Sequence, residues 1–148
     1  MILVTVGTTM PFDELLVEVD RLIADGVFAQ EVICQSGQSA YRMRHCEQFV
    51  GMEAEEFAAI IARSSLVITH GGATVIQLLL AKKPFVAFPN PRGAGDHQSN
   101  FLRQISSVAD ISWSPHVSDL ATLVMARQKR GPAGISVAIP RIHEEILR

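Results

Sequence analysis

An open, parallel α/β sheet of Rossmann-like type, with helices on both faces, is the fold class this sequence predicts, on three observations. Short apolar runs such as residues 2–6 (ILVTV) and 85–88 (FVAF) alternate with longer stretches of helical periodicity along the chain. The runs are continuously apolar rather than apolar at every second position, as strands covered on both faces require. Several of them stop at glycine-rich or polar turns, and loops at the carboxyl ends of strands are where such sheets hold ligands.

Taken in order, residues 2–6 form the first strand and end at Gly7-Thr8-Thr9. Pro11 and Asp13 open a helix whose Leu15, Leu16, Val19, Leu22 and Ile23 share one face, and Gly26 stops it. Residues 32–35 are a second strand, and 36–39 a polar loop followed by the locally basic Arg42, Arg44 and His45. Phe49 and Val50 suggest a third strand. Residues 53–63 carry Phe57, Ile60 and Ile61 on one helical face.

Strand 65–69 then runs into His70-Gly71-Gly72, and a helix over 73–81 follows. That helix is apolar on nearly every side, which predicts cover beyond the sheet alone. Lys82-Lys83-Pro84 closes it, and Lys82, Lys83 and Arg92 read as solvated charges. After strand 85–88 comes a loop over 89–95, then a helix opened by Asp96-His97-Gln98 with Phe101, Leu102, Ile105 and Val108 inward. Residues 110–112 suggest an edge strand and 116–128 a helix. Gly131 to Gly134 reads as a flexible link, and Pro140 as the start of a last short helix.

The chain has 148 residues, 48% of them hydrophobic, enough for one domain with a sizeable core. A formal net charge of -2 gives no basic field for a nucleic acid. Cys34 and Cys46 have neither metal-ligand spacing nor disulfide-scaffold density, so they read as reduced thiols. The first residues lack the basic leader of a signal peptide, and the apolar runs fall short of the ~20 residues a membrane span needs.

The function is concentrated in residues 67–100, VITHGGATVIQLLLAKKPFVAFPNPRGAGDHQSN. A strand feeding a glycine pair that opens a helix can seat a phosphate, because glycines let the backbone approach closely and the first helical N–H groups face the anion. Taken alone, the pair is equally a tight turn, His70 a packed histidine and Asp96 an N-cap. The triple-glycine dinucleotide fingerprint and the GxxxxGK[ST] phosphate loop are both absent, which removes the commonest oxidoreductase and nucleotide-hydrolase readings.

The joint pattern, a His-Gly-Gly turn, a Pro-terminated strand and Asp96-His97-Gln98-Ser99-Asn100, resembles the C-terminal domain of glycosyltransferase family 28. The opening VTVGTTMPFDELL is similar to the single-domain members of that group, the soluble subunits of two-component sugar transferases of the dolichol-pathway UDP-GlcNAc and bacterial exopolysaccharide types. The resemblance runs from Met1 to about Ile105. It implies one half of a GT-B fold: a nucleotide-sugar donor-binding domain over 1–130, with 131–148 a link and a helix in possible partner contact. Gly71, Gly72 and Ala73 would present amides to the diphosphate of a UDP-sugar and Thr74 a hydroxyl, with His70 beside them. Asp96, His97, Gln98 and Asn100 would hold the donor sugar. Gly7, Thr8 and Thr9 would line the cleft toward the acceptor.

The family turn reads His-Gly/Ala-Gly-Ala-Gly-Ser/Thr-x-x-Glu, and this sequence is one glycine shorter. Gln77 takes the place of the ribose-binding Glu, or Leu78 does if the spacing is held fixed. An amide still offers one acceptor and two donor hydrogens to a ribose. The implied activity is transfer of a hexose, hexosamine or uronic acid from a UDP-sugar to a lipid-linked acceptor, without a metal or other cofactor. A membrane-anchored partner subunit would supply the acceptor domain and the catalytic base, and would hold this cytoplasmic chain at the membrane surface. The alternative is a non-catalytic stabilising subunit that has lost donor binding.

Overall fold

A computed structural model describes residues 1–92 and 96–134. Strands β1 (Ile2–Thr5), β2 (Val32–Gln35), β3 (Glu47–Phe49), β4 (Leu66–His70), β5 (Phe85–Phe88) and β6 (Ser112–Trp113) form one sheet in the order β3-β2-β1-β4-β5-β6. Every pairing is parallel, with Ile2 opposite Val32 on one side and Leu66 on the other. Helices α1 (Asp13–Ala24), α2 (Ala54–Arg63), α3 (Thr74–Leu80), α4 (His97–Ser106) and α5 (Leu120–Arg130) cover it.

The central strands β1, β4 and β5 are largely apolar because both faces are buried, whereas the edge strand β3 (Glu47-Gln48-Phe49) is polar and partly exposed. Ile2, Val4, Leu66, Ile68, Val86 and Phe88 meet Leu15, Leu16 and Val19 of α1 and Leu120 and Val124 of α5. Leu3, Val67, Phe85 and Ala87 point the other way, onto Ile61 of α2, Val75 and Leu78 of α3, and Leu102 and Ile105 of α4. The chain therefore has the Rossmann-like architecture with helices on both faces. No described helix is long and apolar enough to cross a membrane.

Several sequence expectations shift. The third strand is Glu47–Phe49, because Gln35 pairs with Phe49 and the strand stops there, leaving Val50 66% exposed. Helix α3 is not covered all round: Val75, Leu78 and Leu79 are buried, while Leu80 faces out at 57% exposure. Strand β6 starts later than expected because the Asp110 amide is engaged by the Gly134 carbonyl at 3.0 Å. A single 3-10 turn (Val117–Asp119) precedes α5.

Lys83 and Arg92, expected as solvated charges, both have partners, and Arg92 stays exposed while making its contact. The Lys83 ammonium donates to the Ser64 carbonyl at 2.5 Å and the Ala62 carbonyl at 3.3 Å, satisfying the free end of α2. Arg92 makes a two-pronged contact with the Glu14 carboxylate, at 2.8 and 2.6 Å. Gly131 to Gly134, expected as a flexible link, is bonded to the body at both ends: the Gly131 amide donates to the Arg127 carbonyl at 2.9 Å, and Gly134 holds Asp110. The final helix expected from Pro140 lies outside the described residues.

The crossover from β2 to β3 has no helix. Its short segment is laid across α1 instead and fastened by carboxylates. The Asp13 carboxylate accepts the Tyr41 amide at 2.7 Å. Asp20, only 3% exposed, accepts the Tyr41 hydroxyl at 2.6 Å and the Arg44 and His45 amides at 3.0 Å each.

Candidate functional site

Strand order reverses direction between β1 and β4, so the connections leaving these two neighbouring strands depart to opposite sides and leave a crevice at their carboxyl ends. Gly7 leaves β1 and His70-Gly71-Gly72 leaves β4, which brings the two sequence-predicted turns face to face.

His70 is the contact between them. A Cβ on Gly7 would lie 2.9 Å from the His70 Nε2, and one on Gly72 would lie 2.2 Å from its Cε1, so both positions accept only glycine while the ring stays in place. Gly7 also has φ +66, a left-handed conformation glycine adopts freely. Burial lowers the His70 pKa below its ordinary 6.5, so the ring is neutral at neutral pH and offers one N–H and one acceptor nitrogen. The β2 loop joins the same cluster, since a Cβ on Gly37 would fall 2.0 Å from the Gly7 carbonyl oxygen.

Beyond His70 the turn divides in two. The Gly71 amide, expected to face a diphosphate, donates instead to the Gln98 Oε1 at 3.2 Å, and Leu102 closes on Gly71 from α4. The amides of Gly72, Ala73 and Thr74 have no acceptor among the described residues, as the first positions of a helix should not. Ala73 is exposed and Thr74 half-buried beside them, and Gln77 is exposed one turn on. Leu78 is fully buried against the sheet, so of the two residues that would take the ribose position only Gln77 can reach solvent or a ligand.

Gln98 works differently from the expectation that it holds a sugar. Its Oε1 accepts the Asn90 amide at 2.7 Å as well as that of Gly71, so one side-chain oxygen joins the ends of β4 and β5 and only its amide nitrogen is left for a ligand. Asp96, His97 and Asn100 are exposed at the start of α4, with the Asn100 Oδ1 accepting from Arg103 at 3.1 Å. Thr8 and Thr9 are exposed beyond Gly7.

Asn90 was not singled out by the sequence. It is 3% exposed, its Nδ2 donates to the Pro11 carbonyl at 3.0 Å, and its Oδ1 accepts the Arg92 amide at 3.0 Å. Its one sequence signal is a polar residue set between Pro89 and Pro91. With the Arg92–Glu14 pair it fixes the loop after β5 to the start of α1.

Two depressions of about 320 Å³ lie along the same sheet edge. One, toward β5 and β6, is walled by Pro89, Pro91, Pro115, Phe12, His116 and Val117. The other, at the ends of β2 and β3, has Ser36, Ser39, Arg42, Gln48, Phe49 and Val50 around it and adjoins the crevice through Gly37. Among the described residues no group of three or more His, Cys, Asp or Glu side chains is placed to hold a metal ion.

Comparison with known proteins gives the same picture. No curated protein matches the chain. Among solved structures, MurG of Acinetobacter baumannii superposes with a TM-score of 0.59 at 20% identity, over 85% of this chain and 41% of that one. A structure described as the glycotransferase of kitacinnamycin gives 0.59 at 14% identity, over 85% of this chain and 34% of its own. At those identities the likeness is one of fold, and this chain spans less than half the length of either protein. The model of the glycosyltransferase family 28 C-terminal domain matches residues 1–110, about three quarters of the chain. The chain, with its reversed strand order and its His-Gly-Gly turn at the switch point, belongs to that family.

Proposed function

We propose that this chain binds the UDP-sugar donor of a glycosyltransferase. One observation carries the reading: the amides of Gly72, Ala73 and Thr74 have no acceptor among the described residues and belong to the turn that shares the His70 ring with Gly7. A diphosphate seated there would receive several N–H groups at the point where negative charge grows as the glycosidic bond to the leaving UDP breaks. Because α3 is only seven residues long, these local amides count for more than a macrodipole. In this reading they meet the charge without a metal.

The nucleoside end would extend toward β2 and β3, where hydroxyls, the Gln48 amide and the Phe49 ring surround the adjoining depression. Gln77 would face the ribose, and the Gln98 amide nitrogen, with Asp96, His97 and Asn100, the donor sugar. Thr8 and Thr9 would line the side toward the acceptor.

The reading extends to a hexose, hexosamine or uronic acid donor and a lipid-linked acceptor. The base that deprotonates the acceptor hydroxyl would come from a membrane-anchored partner subunit, and the chain would sit at the cytoplasmic membrane surface through that partner. Residues after Gly131 are the segment we assign to partner contact. Calorimetry with UDP and a panel of UDP-sugars tests donor binding: saturable binding to the isolated chain supports it, and none at millimolar nucleotide contradicts it. Full-rate transfer by the purified chain alone would refute the partner requirement.

A further inference from the structure

The segment joining β2 to β3 has an alternating pattern that the donor-binding reading does not use. Tyr41 and Met43 pack against the α1 side of the core. Arg42, between them, is exposed and lines the depression at the ends of β2 and β3, with Ser36, Ser39, Gln48, Phe49 and Val50. It is the one cationic side chain in that wall. No described residue pairs with its guanidinium, whereas Arg21, Arg92 and Arg130 each meet a carboxylate.

The backbone around Arg42 is held from both sides. Asp20 takes the Tyr41 hydroxyl and the Arg44 and His45 amides, and Asp13 takes the Tyr41 amide. Gln48 donates to the Tyr41 carbonyl at 2.9 Å and accepts the Met43 amide at 2.7 Å. A buried carboxylate that receives three hydrogen bonds from one irregular segment fixes it without any helix.

We propose that Asp20 is a positioning residue: by latching Tyr41, Arg44 and His45 it holds Arg42 in the wall of the depression, where the guanidinium donates to the oxygens of a bound nucleoside diphosphate. The proposal rests on the donor-binding reading and adds to it the residue that supplies positive charge and the one that places it. Asp20 lies behind the segment and never meets the ligand, so its effect on affinity passes through Arg42.

The test is a double-mutant cycle on the full chain, with the dissociation constant for UDP measured by calorimetry. Arg42→Ala weakens binding about tenfold, the loss of one charge-assisted contact. Asp20→Asn weakens it severalfold, and Asp20→Asn with Arg42→Ala binds no worse than Arg42→Ala alone. Tyr41→Phe, which keeps the ring and deletes one bond of the latch, shows the same non-additivity should Asp20→Asn not fold. Unchanged affinity in Arg42→Ala, or losses that multiply in the double variant, would overturn the proposal while wild-type binding leaves the donor-binding reading standing. No UDP binding by the wild type would remove both.

Discussion

The side-chain oxygen of Gln98 holds the backbone amide of Gly71 at 3.2 Å, so the first turn of α4 fixes the glycine turn after β4 from 27 residues away. The same oxygen holds Asn90. Gln98→Ala leaves two buried amides without an acceptor, at roughly 1–3 kcal/mol each. Urea unfolding should show that loss. Gln98→Glu keeps an acceptor and should retain most of the stability, yet it puts a carboxylate beside the diphosphate and should weaken UDP binding. Weak binding in Gln98→Ala alone would therefore not distinguish a ligand contact from a structural one, and the glutamate variant does.

Gly72 and His70 form a second testable pair. Gly72→Ala drives a methyl group into the imidazole, 2.2 Å from Cε1, and should cost about 1–3 kcal/mol as the ring is displaced. In a His70→Ala background the same substitution should cost little. A full cost in both backgrounds, read from thermal or urea unfolding, would show that something other than the ring excludes the side chain.

Two titrations separate by pH. Burial holds His70 below 6.5, so the unfolded chain takes up its proton first, and stability falls as pH drops below 6.5 until the folded-state value is passed. His70→Gln should be flat in that window. For Asp20, burial alone would raise the pKa, but the Tyr41 hydroxyl, the Arg44 and His45 amides and the nearby His45 outweigh it and hold the group below 3.8. Its contribution is present above 3.8 and lost as pH falls through the folded-state value. Asp20→Asn should remove that acid-side loss, measured as the urea midpoint against pH.

The cysteines should be inert while the chain is folded. Burial, the larger cause for both, pushes Cys34 up to about 12 and Cys46 up to about 11, with Asp20 close to each. A thiol-disulfide reagent at neutral pH should label neither until denaturant is added. Prompt labelling of Cys46 in the native protein would show that the segment before β3 opens readily.

The sequence revealed what depends on local pattern. The strand at residues 85–88 needed only continuous apolarity, and the α1 face needed only its 3.6-residue spacing. The glycine turn after β4 was visible because glycine has a backbone reason to be there. What stayed hidden was pairing across the chain: Arg92 with Glu14, Asn90 with Pro11, Asp20 with Tyr41, and Lys83 capping α2. An exposed-looking lysine or arginine carries no mark of the carbonyl or carboxylate that folding brings to it. Leu80 misled for a related reason, since an apolar residue in a short helix predicts cover only where another element arrives. Gln98 was singled out for the donor sugar, whereas its bonds to the Gly71 and Asn90 amides depended on where β4 and β5 end.

The most direct test of the central claim is amide chemical-shift mapping of the full chain titrated with UDP. The structure predicts the largest shifts at Gly72, Ala73 and Thr74, with smaller ones at Gly7 to Thr9 and around Arg42, and little change at Gly71, whose amide is already engaged by Gln98. Saturable shifts confined to another face of the sheet, or none at millimolar UDP, would contradict a donor site at the β1–β4 crevice.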